Sequence, residues 1–181
     1  MLIKNTQLQF GLVTKLLHWV IALAILFLLW LGWYMVELTY FDKWYNQSLA
    51  LHKALGVLIL ALAPVLLTWK LISSSPESVS SVPAWQRAAA SIMHSVLISL
   101  MFLIPVSGYL ISTSAGKPVS FFGLVELPAI VAKNTDLRDL AITAHFYLAY
   151  GIAALTLAHV GAALKHQLID RDGTLARMIW R

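Results

Sequence analysis

Six histidines carry the chemistry that this sequence offers. Two of them, His145 and His159, share the last long apolar run, Leu140 to Leu164. Fourteen residues at 100° each fall about 40° short of four whole turns, so on a helix both imidazoles project from one face, separated by a rise of roughly 21 Å. Ionisable side chains inside such a run are costly and mark function, and a face with a histidine near each end needs partners on neighbouring helices. His18 and His52 are the candidate partners. If the helices alternate in direction, His52 and His145 lie about one turn inside the outer face of the bundle, and His18 and His159 lie at matching depth from the inner face. Two neutral imidazoles facing each other from different helices suit a six-coordinate haem, and four histidines at two levels suit two haems.

A second pattern separates these four from the rest. Four residues after His18, His52, His145 and His159 stand Ala22, Gly56, Ala149 and Ala163, small residues against which a flat macrocycle could lie. After His94 and His166 the same offset gives Ile98 and Asp170. His94, on the third run at inner depth, competes with His18 for the place opposite His159, or donates to a haem propionate or a quinone. His166, one turn past the fourth run, reads as interfacial. The competing reading of any single histidine is a hydrogen bond between helices. Zinc is weaker, because no carboxylate or cysteine joins either pair.

The elements that must position these residues are membrane helices. The chain has 181 residues, 60% hydrophobic and 12% charged, which is about half the usual charged fraction of a soluble domain. It has no cysteine, which excludes disulfides, thiolate metal sites, iron–sulfur clusters and covalently attached c-type haem. Four spans emerge, at about 14–36, 48–70, 85–111 and 140–164. The first is long and Trp-rich for a signal peptide and is read as a retained span. Pro64 predicts a kink late in the second, and Pro105 with Gly108 a bend in the third. The Ser/Pro stretch between Leu71 and Ala84 is a loop, and 112–139 is too short and broken to span, so it should cap one face of the bundle.

Basic residues near span ends number eight on one side (Lys4, Lys15, Lys70, Arg87, Lys165, Arg171, Arg177, Arg181) and five on the other (Lys43, Lys53, Lys117, Lys133, Arg138). The positive-inside rule then puts both termini in the cytoplasm. The net charge of +5 is a matter of membrane orientation and not of nucleic acid. The expectation is an all-α, integral membrane four-helix bundle forming a single domain over 1–181.

The residues resemble a family, the bacterial cytochrome b561 group of four-helix, di-haem membrane proteins. The carriers are His18-Trp19; Leu51-His52-Lys53-Ala54-Leu55-Gly56; His94 eleven residues before Pro105; Gly116-Lys117-Pro118-Val119-Ser120-Phe121-Phe122-Gly123; His145 with His159; and Asp172-Gly173-Thr174-Leu175-Ala176-Arg177-Met178. The resemblance covers nearly the whole chain, from Phe10 to Trp180. The resemblance implies an outer haem b on His52 and His145, an inner haem b on His18 and His159, ubiquinone as a partner and the bacterial inner membrane as the location. Some members look like superoxide:ubiquinone oxidoreductases. Lys53, beside His52, could attract the superoxide anion at the outer face, and His94, Lys70 or His166 could meet the quinone. The chain departs from the family where an arginine is often found four residues before Lys70 (here Leu66) and where a glutamate often follows the outer ligand of the fourth helix (here Phe146). The alternatives are a haem b anchor or electron-transfer subunit of a respiratory dehydrogenase, docked to a donor outside the membrane, and a transport or structural bundle without a cofactor.

Overall fold

The computed structural model describes residues 2–79 and 81–179. Four long helices, α1 (Leu12–Val36), α2 (Tyr45–Ile72), α3 (Ala84–Ser114) and α4 (Thr135–Lys165), make up the body of the molecule, and each is long and apolar enough to cross a membrane. Their sequences explain why most of their surface stays uncovered. Leucine, tryptophan and phenylalanine point outward along α1, with Leu23, Phe27 and Trp30 all exposed, as expected where lipid and not water is the surrounding solvent. The interior is built from smaller contacts. Ile21, Ile59, Ala63 and Met101 form a buried cluster at mid-height, with Leu66 and Phe102 packed against it.

Both α2 and α3 run unbroken through their prolines, Pro64 and Pro105. Each proline removes one backbone donor without ending its helix. α4 begins on Asn134, whose side-chain oxygen accepts from the Leu137 N–H at 2.9 Å, a cap of the ordinary N-terminal kind. It ends in a π-helical turn, His166–Asp170, and a short helix α5 (Ala176–Ile179) follows.

The segment between α3 and α4 is the cap expected for one face, and it contains a hairpin. β1 (Val119–Phe121) pairs antiparallel with β2 (Val125–Leu127). The turn closes with the Leu124 N–H on the Phe121 carbonyl at 2.9 Å, and both Phe122 and Gly123 have positive φ, as a primed hairpin turn requires. Val119 is buried beneath it, which fixes the hairpin to the bundle. At the opposite end the tail folds back on the amino-terminal segment. The Arg177 guanidinium donates to the carbonyl oxygens of Leu8 and Glu77, and the Trp19 indole donates to that of Met178. Of the residues counted for orientation, Arg181 lies outside the described residues, as does Trp180 at the end of the family-like stretch.

Candidate functional site: two levels of paired imidazoles

Neighbouring helices pack in chain order, α1 on α2, α2 on α3 and, most extensively, α3 on α4, whereas the backbone of α4 scarcely approaches α1 or α2. Yet the histidines of α4 meet those of α1 and α2. The ring centroids of His52 and His145 are 6.1 Å apart, and those of His18 and His159 are 6.3 Å apart. Two imidazoles bound to opposite sides of one metal, with metal–nitrogen bonds of roughly 2 Å, would have centroids about 6 Å apart. Direct ring stacking or a hydrogen bond between the rings would not require the helices to stand off.

Each pair is held at its level by the helices that carry it. His145 Nδ1 lies 3.1 Å from the Ile104 carbonyl and 3.1 Å from Ser107 Oγ, while Ser107 Oγ itself donates to Ile104 O at 2.7 Å. A carbonyl can only accept, so Nδ1 carries the proton and Nε2 keeps its lone pair, the state that a ligating imidazole needs. Gly108 supplies the room behind the ring, for a Cβ there would stand 3.1 Å from Cε1 and 3.3 Å from Nδ1. Gly32 does the same for His52, at 3.4 Å from Cε1. The His52 Nδ1 is buried and has no hydrogen-bond partner. A Cβ on Gly56, one turn further along α2, would meet nothing within 4 Å, so open space lies where a planar ring could rest.

Three rings converge at the level of His18 and His159. His94 stands 5.3 Å from His159, centroid to centroid, inside the roughly 6 Å that a metal between them would set. His18 is at the better distance. Lys53 follows His52 directly.

His166 takes another course. Its Nδ1 donates to Asp172 Oδ2 at 2.6 Å and lies 3.3 Å from Asp170, whose carboxylate also accepts from Lys165 at 2.5 Å. Burial pushes the Asp172 carboxyl up, but the Thr174 N–H at 2.9 Å and the His166 ring outweigh it and hold that carboxyl below the usual range. These groups satisfy one another and form an ionic clasp at the end of α4. Gly32 and Ser107 were not singled out in the sequence, and Asp170, Asp172 and Gly108 were noted there without these contacts. A signal for the glycines is present, however. Gly32 follows His18 by fourteen residues and Gly108 follows His94 by fourteen, the interval that separates His145 from His159.

This arrangement defines a class, that of multi-pass helical membrane proteins whose core histidines are poised in facing pairs. The comparisons make it specific. The family model described as prokaryotic cytochrome b561 matches residues 9–181, and the chain belongs to that family. It is 39% identical to cytochrome b561 homolog 2 of Escherichia coli (strain K12) over 97% of this chain and 93% of that protein. Cytochrome b561 homolog 1 of the same organism is 38% identical over 60% of this chain and 61% of its own length. A probable superoxide oxidase CybB of Yersinia pestis is 27% identical over 97% of this chain and 96% of its own length. The protein is thus a haem b-binding membrane oxidoreductase of electron transport, multi-pass in a bacterial membrane. The paired imidazoles, the stand-off of α4 and the space beside Gly56 fit that cofactor.

Proposed function

We propose that this chain is a di-haem superoxide:ubiquinone oxidoreductase of the bacterial inner membrane, a single domain with both termini in the cytoplasm. His52 and His145 would hold one haem b at the outer level, and His18 and His159 would hold a second at the inner level. The observation that carries the reading is the pair of centroid distances, 6.1 and 6.3 Å, between helices that are otherwise apart. Haem b would supply a one-electron Fe(III)/Fe(II) couple, and two imidazole ligands would leave the iron closed to outside ligands.

The remaining roles fall to the chain's own side chains. Ile104 and Ser107 keep the proton of His145 on Nδ1. Lys53, at the outer level, draws a small anion toward the rim of the site. His94 and Lys70, at the inner level, are placed to hydrogen-bond a quinone and to pass it protons, whereas His166 is engaged by Asp172. The overall reaction takes one electron from each of two superoxide anions, releasing two dioxygen molecules, and ubiquinone takes both electrons and two protons. The resemblance of the whole chain to a protein named as a probable superoxide oxidase supports superoxide as donor. Stopped-flow mixing of the purified protein with superoxide should reduce haem and, with ubiquinone present, yield quinol. Absence of haem reduction would remove superoxide as the donor. Co-purification with a large cofactor-bearing partner would favour the anchor-subunit alternative.

A further inference from the structure

The two imidazoles proposed to share one haem, His52 and His145, stand in closely matched surroundings. Each lies over a glycine of another helix. A Cβ on Gly108 of α3 would stand 3.1 Å from Cε1 and 3.3 Å from Nδ1 of His145, and a Cβ on Gly32 of α1 would stand 3.4 Å from Cε1 and 3.9 Å from Nδ1 of His52. The two glycines hold equivalent places, so the residues beside them can be compared one for one.

The comparison exposes a difference in kind. Ser107 precedes Gly108, whereas Leu31 precedes Gly32. On α3, Ser107 Oγ and the Ile104 carbonyl each lie 3.1 Å from His145 Nδ1. On α1, Leu31 is buried at 3% exposure and its side chain carries no polar atom. Ser48, one turn before His52 on α2, has its hydroxyl engaged by the carbonyls of Trp44 and Tyr45. Among the described residues His52 Nδ1 is therefore buried with no hydrogen-bond partner, an uncommon and costly condition for a ring nitrogen.

For a metal ligand this difference has a chemical meaning. An imidazole that donates its Nδ1–H to a carbonyl gains electron density at Nε2 and is fixed in orientation, and both effects strengthen its bond to the metal. An imidazole without that partner has neither advantage. We infer that the two histidines grip their haem unequally: His145 is the anchoring ligand, with Ile104 and Ser107 as its positioning residues, and His52 is the exchangeable one, displaced by a small uncharged diatomic molecule when the iron is ferrous. The inference rests on the ligation proposed above. It makes the two faces of that haem different, one permanently closed and the other openable.

The test uses the full-length, haem-loaded protein in detergent, with carbon monoxide as the probe. Dithionite-reduced wild type should take up carbon monoxide, whereas Gly32→Ser should do so more slowly by on the order of tenfold. The new hydroxyl can donate back along α1, as Ser107 does along α3, and accept from His52 Nδ1. Gly32→Ser should also lower one midpoint potential by about 59 mV, the one-electron equivalent of a tenfold gain in preference for ferric iron. Gly32→Ala, which adds bulk and no acceptor, should keep the wild-type uptake and potential. After photodissociation of carbon monoxide, the iron–histidine stretching band should shift in Ser107→Ala and not in Gly32→Ser. His52→Gly should retain its haem in high-spin form and bind added imidazole, and His145→Gly should lose that haem faster than His52→Gly by on the order of tenfold to a hundredfold.

No carbon monoxide uptake by wild type, equal slowing in Gly32→Ala and Gly32→Ser, or an iron–histidine band that moves with Gly32→Ser instead of Ser107→Ala would overturn the unequal grip while leaving the ligation standing. Equal haem loss from His52→Gly and His145→Gly would do the same. Unchanged haem content and low-spin spectra in both glycine variants would overturn the ligation and the inference together. Ser107→Ala and His52→Gly keep the question decidable should Gly32→Ser fail to fold.

Discussion

Replacing Gly108 by alanine isolates the seating of one imidazole from every other feature of the site. The added Cβ would stand 3.1 Å from Cε1 and 3.3 Å from Nδ1 of His145. Carbon pairs prefer roughly 3.5–4.0 Å, so the ring must retreat by about 0.5 Å. The ring is tethered through Nδ1 at 3.1 Å to Ile104 O, and a retreat of that size carries the bond to about 3.6 Å, beyond useful hydrogen-bond range. That forfeits about 1 kcal/mol, while exchanging glycine for alanine inside a helix returns roughly 0.5–1 kcal/mol, so the stability of the fold should hardly change. Haem binding should not be spared. Loss of a group that orients a metal ligand typically weakens binding by about 10–100-fold. The assay is the haem-to-protein ratio by pyridine haemochrome, the rate of haem transfer to apomyoglobin and thermal unfolding by far-UV circular dichroism. Gly161→Ala, at an exposed position where a Cβ meets nothing, is the control. Unchanged loss of the haem proposed on His52 and His145 in Gly108→Ala would refute the reasoning, as would haem loss accompanied by a collapsed thermal transition.

His145→Ala should abolish one haem and leave the other, because its partner His52 belongs to a different level from His18 and His159; a haem ratio of zero or of two would contradict the pairing. His94→Ala should keep the full haem content, since its 5.3 Å approach to His159 is too short for a shared metal, and with Lys70→Gln it should raise the KM for ubiquinone by about tenfold, on the order of one hydrogen bond; loss of the inner haem would instead make His94 the ligand. The clasp at the end of α4 should be acid-sensitive. The Asp172 carboxyl is held below its ordinary value of 3.8, so its stabilisation is fully present above that pH and is lost as pH falls through the lowered value. Hydrogen exchange at Gly173–Arg177 should therefore rise in the most acidic range in wild type and be elevated, and flatter with pH, in Asp172→Asn; identical profiles would argue against the clasp.

The four helices were readable because nothing in a bilayer relieves an unpaired backbone, so an uncharged run of sufficient length has one structural outcome. Their ends were not. α3 continues to Ser114 because the hydroxyls of its last three residues, Ser112 to Ser114, are buried and not solvated, and α4 starts at Thr135 because Asn134 caps it and Arg138 pairs with Asp139 in its first turns. The hairpin escaped notice since its strands are three residues each and its turn places Phe122, an unfavourable residue for the task, at positive φ. Counting turns from the ends of the runs assigned His18, His52, His145 and His159 to two depths, and the structure brings the rings of each depth together. The glycines behind them were invisible as chemistry, because what they contribute is the absence of a side chain.

The interval shared by His18 and Gly32, His52 and Leu66, His94 and Gly108, and His145 and His159 is fourteen residues on every helix. Fourteen is two heptads, and a straight helix misses that repeat by about 20° per heptad, a deficit that a gentle left-handed supercoil removes. The two tiers are therefore phased to one another like the layers of a coiled coil. One residue inserted between the tiers of any helix would swing its far side chain by about 100° away from the axis. Removing a whole heptad would instead preserve the facing and bring the tiers nearer by roughly 10 Å. Length changes in the middle of these helices should be tolerated only in steps of seven, and in all four helices at once.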